Sequence, residues 1–163
     1  DMPVTLTVRA ATPADLAAVD ALLARSYPKL LKADYPPSVL VLALPLIARA
    51  RPELLASGTY YVAETLDGRL IGAGGWTRGR DPSRAEVRHV VTDDRALRRG
   101  AGRAILDHVI AAARRGRVRR LDCQSTRTAV PFYRAMGFES QGEVGVPLGP
   151  GIVFPAVRMS RPI

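Results

Sequence analysis

From residue 90 the chain reads Val90-Val-Thr-Asp-Asp-Arg-Ala-Leu-Arg-Arg-Gly-Ala-Gly-Arg-Ala-Ile-Leu106, and this stretch decides the fold. It closes a strand, Ala85 to Thr92, whose centre is Glu86-Val87-Arg88-His89-Val90-Val91. It then opens a helix near Gly100, with Ala101, Ile105, Val109 and Ala112 at helical spacing and Gly116 at the end. Between them lies Arg98-Arg99-Gly100-Ala101-Gly102-Arg103. Glycines admit a bulky phosphate close to the backbone, and the first turn of a helix offers unpaired N–H donors. Flanking guanidiniums add charge-assisted bonds, so a pyrophosphate is the natural occupant. The plainer reading is a tight strand-to-helix turn. Against it, several arginines crowd the positive end of a helix, an unfavourable arrangement unless an anion compensates.

Two other phosphate motifs fail at named positions. A P-loop needs Lys and then Ser or Thr after its last glycine, and here Arg103 and Ala104 follow. A dinucleotide fingerprint needs a small residue at 105, which is Ile105, although Asp122 lies about twenty residues on.

Working outward, Val4 to Arg9 alternates as a strand, and Thr12-Pro13 with Asp15 marks a helix start. Leu16, Val19, Leu22 and Leu23 give that helix one apolar face. Five prolines between Ser26 and Ser57 predict short helices with irregular links there. Thr59 to Glu64 and Arg69 to Thr77 read as a hairpin about Asp67-Gly68. Gly72, Gly74 and Gly75 predict a bulge or a close backbone approach in its second strand. Gly79 to Ser83 is a loop. Val118 to Gln124 is a further strand. Thr128 is the expected cap of the next helix and Gly137 its stop. Strands around Val144 and Val157 flank Pro147 to Gly151. This order gives a mixed sheet with helices on its faces, one α/β domain over residues 1–163.

Composition narrows the function. Residues 84–134 hold thirteen arginines against five acids, most of the chain's +9. Such a surplus suits an anionic partner, whether nucleic acid, lipid or a phosphorylated cofactor. Only Phe132 and Tyr133 lie there to stack on bases, which argues against nucleic acid. The longest apolar run, Val39 to Ala48, is half a membrane span and is broken by Pro45. One cysteine and two histidines make a poor metal kit, so no metal is expected. With no signal-peptide pattern at the start, a reducing, cytoplasmic setting is the expectation. A homodimer stays open.

The stretch 90–106 resembles the acetyl-CoA motif of the GCN5-related N-acetyltransferase (GNAT) family, Q/R-x-x-G-x-G/A. Thr126-Arg-Thr-Ala-Val-Pro-Phe-Tyr-Arg-Ala-Met-Gly-Phe138 resembles that family's second motif. The likeness runs over roughly residues 4–160. Leu97 stands where the family has Gln or Arg, a contact that Arg95, Arg98 or Arg99 would have to supply, and Thr126 stands where it often has Asn. The resemblance implies a GNAT-like, mostly antiparallel central sheet with helices on both faces, and acetyl-CoA as cosubstrate. It implies backbone contacts from Val90, Val91 and Thr92 to the pantetheine arm, in a slot made by strands splaying around residues 90 and 123. Arg98, Arg99, Gly100, Ala101, Gly102 and Arg103 would hold the pyrophosphate.

The implied activity is acetyl transfer from acetyl-CoA to a primary amine by direct attack in a ternary complex. A non-catalytic acyl-CoA sensor is the alternative, and a basic nucleic-acid binder a more distant one. Transfer needs a neutral amine, alignment, oxyanion stabilisation and a proton for the thiolate. By the likeness Tyr133 lies near the CoA sulfur as general acid; otherwise it is a core tyrosine. Glu86, fourteen residues before Gly100, is where the histone-modifying branch carries its base; otherwise it pairs with an arginine. Strand alternation predicts His89 on the opposite face from Glu86. Cys123 reads as a core thiol rather than an acyl carrier. Trp76, Tyr60 and Tyr61 read as packing residues, with Trp76 a possible wall of an acceptor pocket. Acceptor choice is expected from segments 26–57 and 144–158.

Overall fold

The computed structural model describes residues 5–97 and 99–163. Seven strands form one sheet: β1 Leu6–Ala10, β2 Tyr60–Thr65, β3 Leu70–Arg78, β4 Arg84–Thr92, β5 Arg120–Ser125, β6 Glu139–Gly149 and β7 Ile152–Pro162. Their order is β1-β2-β3-β4-β5-β7-β6. All neighbours are antiparallel except β4 and β5, which run parallel. Among the described residues, five α-helices pack around it: α1 Leu16–Leu31, α2 Pro37–Ile47, α3 Pro52–Leu55, α4 Ala101–Arg115 and α5 Val130–Ala135.

Two apolar clusters separate the faces. On one, Ile105, Leu106 and Val109 of α4 pack with Ile71, Val87 and Leu121, and α5 adds Tyr133. On the other, Val19, Leu23 and Leu31 of α1 and Leu40 and Ala43 of α2 pack with Val62, Ala73 and Val91. The sheet is therefore covered by helices on both faces, as expected.

Local chemistry explains the element ends. Thr12 and Asp15 form the capping box that starts a 3-10 turn leading into α1. Gly68 takes the left-handed conformation in the β2–β3 turn, φ +83°. Between Ser26 and Ser57 the helices are longer than expected. Pro28 lies inside α1 and Pro45 inside α2. A proline inside a helix costs about 3 kcal/mol, but Ser26, Tyr27 and Leu31 on either side of Pro28 are buried, and that packing holds the last turn. Thr128 does not cap α5. Its hydroxyl donates to Asp34 at 2.7 Å, while Thr126 Oγ1 accepts the Ala129 N–H at 3.2 Å.

Strand β4 departs most from regularity. Val87 packs in the α4 cluster, yet Val91, four residues on, packs in the α1 cluster. Residues i and i+4 of a regular strand share a face. The register shows the extra residue: Gly75 pairs with Arg88 but Ala73 with Val91. This is a β-bulge, and within it His89 has φ +45°. Gly74 lies against it: a Cβ there would stand 2.8 Å from Val90 Cγ2 and 2.9 Å from Ile105 Cγ2. The bulge and α4 both close onto the sheet because residue 74 has no side chain.

Candidate active site

Parallel pairing of β4 with β5 covers only Arg84↔Arg120, Ala85↔Leu121 and Glu86↔Asp122. Beyond that point the strands pair no further, and a cleft opens between them. The expected splay near residues 90 and 123 is thus present, starting a few residues earlier on β4.

The larger of the cleft's two cavities, about 320 Å³, lies on the glycine-turn side. Val90, Val91, Thr92, Gly100, Ala101, Gly102 and Arg103 all line it. Arg99 is exposed nearby in the chain but not part of that wall, and Arg98 lies outside the described residues. Gly100 caps α4 in the left-handed conformation, φ +81°. The first bond into the helix runs from the Ala104 N–H to the Gly100 carbonyl at 2.9 Å. The N–H groups of Ala101, Gly102 and Arg103 therefore sit at the open helix end without an intrahelical acceptor, beside a guanidinium. Gly102 also faces α5: a Cβ there would meet Phe132 Cε1 at 3.2 Å and Thr92 Oγ1 at 3.3 Å. That close approach explains the glycine as well as any phosphate does.

The loop before the turn is held from α1. Asp93 is nearly fully buried and pairs with Arg25 at 2.5 Å, and it accepts the Arg95 N–H at 2.8 Å. Burial pushes this carboxyl up, but the bonds from Arg25 and Arg95 outweigh it and keep it below its ordinary value. Arg25 and Lys29 also reach Asp94, at 3.3 and 3.6 Å. Arg95 is thereby committed to Asp93, at 3.5 Å.

A second cavity of about 170 Å³ opens on the other side of the cleft. It shares Tyr27, Val90, Thr126 and Ala129 with the first, so the two meet between α1 and α5. Its wall includes Glu86, His89, Cys123 and Tyr133. Glu86 and His89 thus line one cavity, contrary to the alternation argument, because the bulge adds a residue after Arg88. Segments 26–57 and 144–158 supply Ile47, Arg51, Val146, Leu148 and Phe154 to the same wall. Trp76 is not among its residues; its indole N–H donates to the Tyr61 hydroxyl at 3.1 Å in the core.

Environment sorts the titratable groups. Tyr133 is 5 % exposed, edge-on to Phe132 and Phe138 with centroids 5.2 Å apart in each pair. Burial raises its pKa well above 10, so it stays a proton donor at any working pH. Burial likewise pushes the Cys123 thiol up to about 12, with Glu86 and Asp122 adding to it. A thiolate nucleophile is then scarce near neutrality. His89 falls to about 4, through burial first and then Arg51 and Arg88, and is neutral. Glu86 is half-exposed, 3.9 Å from Arg88. Tyr27, buried and pushed up to about 12, was not singled out by sequence, because a tyrosine at helical spacing reads as core.

A family model for the acetyltransferase (GNAT) domain matches residues 44–154, about two thirds of the chain. The chain belongs to the GNAT acetyltransferase family. Its class of chemistry is accordingly acyl transfer. No curated protein sequence matches it significantly. Among solved structures, a GCN5-related N-acetyltransferase from Rhodopseudomonas palustris has a TM-score of 0.78 at 19 % identity, covering 100 % of this chain and 99 % of that one. The PaiA N-acetyltransferase from Thermoplasma acidophilum, solved in complex with coenzyme A, has 0.70 at 13 %, covering 98 % and 99 %. A GNAT-family acetyltransferase from Streptococcus pneumoniae has 0.65 at 21 %, covering 98 % and 100 %. These likenesses show the shared fold. Among the described residues no group of three or more His, Cys, Asp or Glu is placed to hold a metal ion, and no helix is long and apolar enough to cross a membrane.

Proposed function

We propose that this GNAT domain transfers the acetyl group of acetyl-CoA to a primary amine by direct attack in a ternary complex. The observation that carries the reading is the meeting of two cavities, one at the glycine turn and one at Glu86 and Tyr133, across Tyr27, Val90 and Ala129. The N–H groups of Ala101 to Arg103, with the Arg103 guanidinium, suit the pyrophosphate, and the exposed Arg99 adds positive charge nearby. The bulged edge of β4 at Val90 to Thr92 suits the pantetheine amides. Complexes of coenzyme A with structural relatives support this side of the reading.

The chemistry follows from the second cavity. Glu86 takes a proton from the acceptor ammonium, directly or through water. The neutral amine nitrogen attacks the thioester carbonyl carbon, forming the C–N bond and a tetrahedral oxyanion. Collapse breaks the C–S bond, and the departing thiolate takes the Tyr133 proton. The second amine proton, made acidic by C–N bond formation, passes through water to the Tyr133 phenolate and restores it, and Glu86 returns its proton to solvent. Tyr133 is 5 % exposed and lines that cavity, so its hydroxyl can reach the leaving group there. The high position of the Cys123 thiol favours this direct route over an acyl-cysteine. A cytoplasmic setting accords with the same cosubstrate.

The test is an amine panel assayed for acetyl-CoA-dependent release of free thiol, with products identified by mass. Coenzyme A should also raise the melting temperature by mass action. No thermal shift at millimolar coenzyme A removes the reading.

A further inference from the structure

We propose that the acceptor is a small amino acid, its carboxylate held by Arg51 and Arg88 and its apolar side chain seated on Ile47, Val146, Leu148 and Phe154. The inference rests on the acetyltransferase reading above and names the substrate class of its second cavity.

The wall of that cavity has two halves of different chemistry. One carries Arg51, at the start of α3, and Arg88, at the edge of the β4 bulge. Arg88 Nε donates to Thr77 Oγ1 at 2.9 Å, and its Nη2 stands 3.9 Å from Oε2 of Glu86, beyond a hydrogen bond. Arg51 has no carboxylate within salt-bridge distance among the described residues. Two guanidiniums against the Glu86 carboxylate of that wall make the mouth positive. Burial first, and then both arginines, lower the pKa of His89 beside them, with Glu53 opposing. A guanidinium presents a planar fork matched to a carboxylate. The other half is aliphatic and aromatic, from α2 and the β6–β7 hairpin.

Size and charge favour an amino acid over a polyamine. A volume of about 170 Å³ is close to the ~150 Å³ of an apolar cavity that takes benzene, enough for one branched or aromatic side chain. A polyamine would bring a second cation beside Arg51 and Arg88, with Glu86 the one carboxylate among the described wall residues to answer it. An α-amino acid places its amine toward Glu86 while its carboxylate meets the arginines, so one set of contacts orients the nucleophile.

The experiment compares leucine and phenylalanine with their amides and with the matching decarboxylated amines, as kcat/KM for thiol release at fixed acetyl-CoA. The acids should exceed both neutralised series by about 10- to 100-fold, the range of a hydrogen bond to a charged group. Arg51→Gln should erase most of that preference and leave KM for acetyl-CoA unchanged, and Arg51→Lys should restore part of it. Amides or amines used as well as the acids, or no acid used by an enzyme that still binds coenzyme A, overturns the proposal and leaves acetyl-CoA binding standing. Absence of coenzyme A binding in the thermal-shift assay would instead sink the acetyltransferase reading, and this proposal with it.

Discussion

Arg25 places its Nη2 2.5 Å from Oδ1 of Asp93, whose side chain keeps 3 % of its surface. The pair ties the middle of α1 to the loop that leads into the glycine turn. Arg25→Met should therefore leave a buried carboxylate with only Arg95 to answer it. Breaking a buried pair by removing one partner costs about 3–5 kcal/mol, and the low end applies because the Arg95 N–H remains. Urea unfolding should show the loss, and the double variant with Asp93→Asn should recover part of it.

Gly102→Val should keep the fold and lose coenzyme A. Its Cβ would already stand 3.2 Å from the Phe132 ring, so the branched side chain drives Phe132 and its own methyls into the larger cavity. Affinity should fall at least about tenfold, or ~1.4 kcal/mol, by calorimetric titration. Gly102→Ala should fall between Val and the parent. Unchanged affinity in a folded Val variant removes Gly102 from the site.

Tyr133→Phe keeps both edge-on ring contacts and removes the donor. With chemistry rate-limiting, kcat should fall about 10²–10⁴-fold while coenzyme A affinity holds. Because burial raises this phenol above its ordinary 10, the parent kcat should show no decline from its ionisation up to that pH. Glu86→Gln should differ: its defect should shrink at high pH, where the amine is already neutral. A defect constant with pH would mean that Glu86 binds acceptor rather than protons.

Cys123→Ala should retain most activity. A thiol held near 12 supplies little thiolate at neutral pH, so incubation with acetyl-CoA alone should leave the chain unacetylated at Cys123 by mass spectrometry. A stable acetyl-cysteine that disappears on adding amine would replace direct attack with a two-step route.

Asp15 sets an acid limit on stability. Bonds from Arg9 at 2.9 Å, opposed by partial burial, lower its pKa from 3.8 to about 2. A depressed carboxylate adds stability that is complete above its unfolded pKa and lost as pH falls through its folded one. Stability should therefore decline between roughly pH 4 and 2, and Asp15→Asn should flatten that limb in urea titrations at each pH.

What could be read from sequence was written in short-range chemistry. Thr12 with Asp15, Asp67-Gly68 and Gly137 each fix a chain direction through their own backbone or side chain. The glycine turn belongs with them, and together with Val90 to Thr92 it located one side of the cavity beside it. What escaped depends on distant partners. Pro28 stays helical because Tyr27 and Leu31 are buried on either side. Thr128 gives up its cap to reach Asp34. His89 turns toward the cavity of Glu86 because Gly74, a strand away, leaves room for a bulge. Tyr27 joins both cavities, yet nothing in α1 separates it from a residue of the core.

The three-rung parallel joint between β4 and β5 divides the sheet into two plates. Glu86 and the glycine turn ride on the first, and Tyr133 rides on the helix that leaves the second. Alignment across the cleft is then a question of stiffness. Its strap is the paired bond from Arg84 to Asp122, at 2.9 and 3.1 Å, with Ser160 bracing the same carboxylate at 2.8 Å. These polar residues stand away from both cavities' junction and tie the two plates together beside the backbone pairing. Loosening that strap would leave every group in place on its own plate and let the plates drift relative to each other.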